Sequence, residues 1–88
     1  MLQTHTMSLA DIVAQNLLTS RNKKNLTQAA LAKKAKVSVS YVSMLERGAR
    51  TPPLDTLEIL AKALAVSPLD LLQAHAAKAT KVSRRARR

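Results

Sequence analysis

Residues 26–48 read LTQAALAKKAKVSVSYVSMLERG, and this stretch decides the fold. Two helix starts stand in it, marked the same way. Thr27 and Ser38 are hydroxyl residues that suit an N-cap, and each is bracketed by an apolar pair, Leu26 with Leu31 and Val37 with Val42, spaced for a hydrophobic staple. The first helix is predicted to end near Ala35. The second runs to about Arg47 and stops at Gly48, the only glycine in the chain, placed where a left-handed C′ residue is wanted. So little chain lies between the two helices that they must meet at a tight turn. Within the second helix Val42 and Leu45 lie three apart and point toward a core. Ser40, Ser43, Met44 and Arg47 follow the i, i+3, i+4, i+7 spacing, which makes one small, polar, basic stripe on the other side.

The same signals repeat outward from this stretch. Ser8 with Asp11 reads as a capping box, and Met7 with Ile12 as a staple, opening a helix to about Lys23 with Leu9, Ile12, Val13, Leu17 and Ser20 on one side. Thr51, Pro52 and Pro53 end the loop after Gly48 and open a fourth helix, which carries Leu54, Leu57, Leu60, Ala61 and Leu64. Ser67, Pro68 and Asp70 repeat the capping box and start a fifth, with Leu69 and Leu72 expected inward. No segment keeps a period of two for long, so the expectation is an all-α domain of five helices. Beyond Ala76, from Lys78 on, the chain reads KATKVSRRARR; it lacks apolar periodicity and is expected to be disordered in isolation. The organisation is thus a leader at 1–7, a folded domain at 8–76 and a basic tail at 77–88.

Composition narrows the function. Eighty-eight residues, 47% of them apolar, make one small domain whose core is only marginally stable alone, so a homodimer is expected. No apolar run of about 18 residues exists, and the start MLQTHTMS lacks the basic and apolar regions of a secretory signal. The absence of cysteine rules out disulfides and zinc–cysteine sites and fits a reducing cytoplasm, where the chain is placed. Fifteen Lys and Arg against five Asp and Glu give +10, of which +6 falls in the last eleven residues and +4 on residues 1–77. Such a chain prefers polyanions. Tyr41 is the only aromatic residue, which argues against single-strand binding by stacking and leaves duplex DNA as the expected partner.

Catalytic and metal sites find little support. His5 and His75 are far apart, with no clustered carboxylates. Asp11, Asp55, Glu58 and Asp70 are expected in first helical turns, where capping and dipole effects account for them. One glycine cannot build a phosphate-binding loop. No enzyme activity, cofactor or metal is expected.

Residues 9–76 resemble the Xre family of helix-turn-helix proteins, the group of lambdoid phage repressors and Cro. The LTQAALA segment, the VSVSYVSMLERG segment and the TPPLDTLEILAKALAVSPLDLL that follows carry the likeness, in the right order and at the right spacing. The resemblance implies a five-helix lambda-repressor-like domain that binds DNA through its third helix, about residues 39–47, as a homodimer on a palindromic site. Gln28 matches the family's phosphate-gripping glutamine. Ser38, Val39, Ser40, Ser43 and Met44 match its base-facing positions, and Tyr41, Arg47 and Arg50 match places where phosphate contacts are common. Arg21 and Glu46 match a buried ion pair between the first and third helices. Three departures stand out, the first being that Val39 and Met44 occupy positions where many relatives place long polar readers. Lys36 replaces the usual glycine of the corner, and Ala65 replaces a common glycine at the end of helix four.

Two functions follow as expectations. One is a transcriptional regulator, with restriction–modification controller proteins as a subtype of similar size; activation would need direct contact with RNA polymerase. The alternative is an antitoxin-type interaction protein that neutralises a toxin and autoregulates its operon, in which only the basic tail could engage the toxin.

Overall fold

The computed structural model describes residues 7–74. Five helices follow one another: α1 Leu9–Lys23, α2 Gln28–Ala35, α3 Val39–Glu46, α4 Leu54–Leu64 and α5 Pro68–Leu72. No strand occurs among the described residues. There, too, no helix is long and apolar enough to cross a membrane.

Every helix except α4 starts on a side-chain cap. Ser8 Oγ accepts from the Asp11 N–H at 3.1 Å, Thr27 Oγ1 from Ala30 at 2.9 Å and Ser38 Oγ from Tyr41 at 3.0 Å. Ser67 Oγ accepts from Leu69, while Asp70 Oδ2 accepts from the Ser67 N–H, so both halves of a capping box are present. The box expected at Ser8 shows only the serine's half. At α4 the cap position is Pro53, whose fixed φ sets the entry without a side-chain bond.

The first four helices end by one device. A residue in the left-handed region (Asn25, Lys36, Gly48 and Ala65, with φ of 58°, 60°, 76° and 58°) is followed by an N–H that reaches back five residues. Leu26 donates to Arg21 O, Val37 to Ala32 O, Ala49 to Met44 O and Val66 to Ala61 O, at 2.9–3.0 Å. These bonds satisfy carbonyls that a helix end leaves without partners. Lys36 and Ala65, the two non-glycine departures, therefore do occupy left-handed positions, where a Cβ costs roughly 1–2 kcal/mol each.

The core forms where α1 packs on α3 and α5, α2 on α3 and α4, and α4 on α5. Leu17, Leu31, Val42, Leu45, Leu60, Leu64 and Leu71 are the largest sealed side chains. Each stabilises the fold by about 1.5–3 kcal/mol relative to exposure.

Two further expectations need correction. Leu69 is not inward: it is 64% exposed, and Leu71, at 0%, anchors α5 in its place. Residues 69 and 72 share one face of a helix, but of the two only Leu72 packs against the core; Leu71 is the sealed position where α5 meets α1 and α4. Leu72 is only half-buried. The fifth helix ends at Leu72, and Gln73 is extended. Leu9, on the side of α1 that carries buried Val13 and Leu17, is itself exposed. Glu58 sits in the second turn of α4; of that helix's acids only Asp55 lies in the first. His5, His75 and the tail from residue 77 lie outside the described residues.

Candidate nucleic-acid interface

The third helix has a sealed back and an open front. Val42 and Leu45 are buried in the core, and Tyr41 packs against it at the edge. Ser40 and Arg47 are exposed, Val39 is largely so, and Ser43 and Met44 are half-buried beside them. The predicted stripe thus lies on the accessible side of α3 and ends at exposed Arg47. Arg47 is the C-cap residue, and Arg50 follows in an exposed loop.

The back of α3 is also held by charge. Arg21, in the last turn of α1, lies with its Nε 2.6 Å from Glu46 Oε2 and its Nη2 3.1 Å from Oε1, a two-pronged pairing. Its Nη1 donates to Leu26 O at 2.7 Å, which ties in the connection between α1 and α2. The Glu46 side chain is 4% exposed and that of Arg21 13%. The pair matched to the family in the sequence is therefore formed, and it fixes the end of α3 to α1 from behind.

Two of the residues assigned to the front turn out to have further engagements. Ser38 uses its hydroxyl oxygen to cap α3, which leaves its O–H to donate. Gln28, the first residue of α2, donates from Nε2 to Glu46 Oε1 at 3.0 Å. The start of α2 therefore sits against the end of α3. Thr27 satisfies the Ala30 N–H, and the backbone N–H groups of Gln28 and Ala29 have no partner among the described residues. Unpaired donors at a helix N-terminus attract anions.

The basic residues frame this surface. Lys33, Lys34 and Lys36 are exposed around the end of α2, and Arg47 and Arg50 around the end of α3. Glu46 is the one carboxylate between Thr27 and Arg50, and Arg21 neutralises it.

One residue on α1 that the sequence patterns do not single out also shapes the molecule. Asn16 is 6% exposed, the one polar residue among those described that is buried as a whole, backbone included. Its Nδ2 donates to the carbonyls of Gln73, Leu71 and Asp70 at 2.7, 2.9 and 3.2 Å. An amide nitrogen carries two hydrogens, so the Asp70 bond is the shared one. A lone asparagine inside an otherwise apolar helical face was the available signal.

Comparison with known proteins agrees with this fold. A family model described as helix-turn-helix matches residues 17–71. A protein of Sinorhizobium fredii named as an uncharacterized HTH-type transcriptional regulator, y4dJ, is 39% identical over 66 residues, 75% of this chain and 86% of the relative. Among solved structures, the restriction-modification controller protein C.AhdI of Aeromonas hydrophila aligns with a TM-score of 0.68 at 35% identity, covering 70% of this chain and 94% of that one. The controller protein C.Esp1396I, solved as a tetramer in complex with its natural 35 base-pair operator, aligns with a TM-score of 0.68 at 30% identity, covering 75% of this chain and 87% of that one.

Proposed function

Because the chain belongs to the helix-turn-helix family of Xre- and Cro-type transcriptional regulators, we propose that it binds duplex DNA sequence-specifically, as a homodimer on a palindromic operator. The observation that carries this reading is the division of α3: Val42, Leu45 and Glu46 are held, while Ser40 and Arg47 are open and Ser43 is half-exposed between them. A rod fixed from behind with small front residues can bring its backbone deep into a major groove about 12 Å wide.

In this reading Ser40 and Ser43 exchange hydrogen bonds with base edges, Val39 and Met44 touch thymine methyls, and Ser38 donates beside them. Arg47 takes a guanine edge or a phosphate. Arg50, Tyr41 and Gln28 bind phosphates, Gln28 together with the free N–H groups of α2. Few long polar readers face the groove, so part of the specificity comes from DNA shape. Leu69, exposed on α5 beside half-buried Leu72, supplies the apolar patch for the dimer. Residues 78–88 add six cations that act as an arm on phosphates.

Selection of bound duplexes from a random pool tests the whole reading. A spaced inverted repeat is the expected product, and recovery of no preferred sequence would refute it. Arg47→Ala and Ser43→Arg should each abolish preference for the recovered sequence with helicity unchanged. Deletion of residues 78–88 should weaken binding to all duplexes alike. It should also flatten the logarithmic salt slope by about 0.9 for each phosphate that the tail neutralises.

A further inference from the structure

We propose that Glu46 is a positioning residue for DNA binding: its carboxylate fixes the Gln28 side-chain amide so that one N–H of that amide is held ready for a phosphate. The inference rests on the reading of the α2 start as part of the DNA face.

Glu46 sits at a junction of three chain segments. Oε2 accepts from Arg21 Nε, and Oε1 accepts from both Arg21 Nη2 at 3.1 Å and Gln28 Nε2 at 3.0 Å. The carboxylate is an acceptor only, so it dictates which way the amide turns. Turned over, Gln28 would set its carbonyl oxygen against a carboxylate oxygen at the same distance, an acceptor facing an acceptor. The amide therefore presents its nitrogen to Glu46, and the nitrogen has a second hydrogen. That hydrogen has no partner among the described residues. It joins the free backbone N–H groups of Gln28 and Ala29 at one helix end, three donors for one anion. A glutamine without the carboxylate would sample both amide orientations and several rotamers, and binding would have to freeze them. Arg21, by pairing with Glu46, removes the repulsion that a bare carboxylate would exert on a phosphate beside it.

The proposal predicts a sign that simple electrostatics does not. Glu46→Gln removes a negative charge and leaves Arg21 in excess, so charge alone would tighten binding to DNA. Loss of positioning loosens it. On the duplex recovered by selection, Glu46→Gln is expected to weaken binding about fivefold, the worth of one hydrogen bond. In the Gln28→Ala background the same change should have no such effect. Tighter binding, or an equal loss in both backgrounds, would overturn the proposal.

Nuclear magnetic resonance of the unaltered protein decides the matter if Glu46→Gln does not fold. One Gln28 Nε2 proton should exchange slowly with water and the other should shift on addition of the duplex. Two equivalent, fast-exchanging protons would refute the positioning. Since the exchange asymmetry is read without DNA, a failure of this inference is distinguishable from a failure of the DNA-binding reading.

Discussion

Helices α3 and α5 are both short, both open on a capping serine, and both are held by one polar side chain from α1. Arg21 reaches α3 and Asn16 reaches α5. The means differ. Arg21 binds another side chain, Glu46, so the bond exists only if that residue stands at that position. Asn16 binds three main-chain carbonyls, which any sequence would offer. The ion pair holds a helix whose front must present particular side chains. The amide closes the end of a helix too short to satisfy its own carbonyls. One bond leaves a trace in the sequence of the helix it holds, and the other leaves none.

The two anchors should also fail differently. Arg21→Ala is expected to cost the most, about 3–5 kcal/mol, because it leaves the Glu46 carboxylate buried and unpaired. A domain this size loses roughly 4–8 °C of melting temperature per kcal/mol, so a melt followed by circular dichroism should fall by well over 10 °C. An unchanged melt would mean that the pair contributes nothing to the fold. Leu71→Ala, which empties the site where α5 meets the core, should cost about 2–5 kcal/mol, measured by urea titration. Asn16→Ala should cost about 2 kcal/mol, from missing hydrogen bonds and stranded carbonyls together. Unlike Arg21→Ala, it should loosen α5 selectively, seen as faster amide exchange there than in α3. Uniform loosening would erase the distinction between the anchors.

Smaller effects sharpen the contrast. Lys36→Gly and Ala65→Gly relieve left-handed strain at the ends of α2 and α4 and should each raise stability by up to about 1 kcal/mol; a lower melt for either would show that the side chain does something else there. Leu69→Ala should leave monomer stability within about 0.5 kcal/mol, as surface changes do. It should, however, lower self-association in sedimentation if α5 forms the dimer surface. A large stability loss with no change in association would place that surface elsewhere.

Much of this architecture is legible in the chain. The caps at Ser8, Thr27, Ser38 and Ser67, the left-handed Gly48, and the inward Val42 and Leu45 all rest on spacings of five residues or fewer, which a linear text displays. The Arg21–Glu46 pair is readable only through family resemblance. Nothing within either helix says that residues 25 apart will meet. The orientation of Leu69 escapes the sequence because periodicity gives a face but not how much of a five-residue helix will find something to pack against. Asn25, also left-handed, carries a faint local signal, since asparagine tolerates that region better than most residues.

The sequence by itself therefore determined five helices, where each begins and where the first three end, and a third helix with one apolar and one polar side, since these follow from local sterics and the pitch of 3.6 residues. The tertiary structure decided that Leu71 and not Leu69 anchors α5, that Asn16 closes that helix, and that Glu46 joins Arg21 to Gln28. Each of those depends on where separate helices lie relative to one another. That arrangement is fixed by close packing of the whole core, which no local pattern encodes.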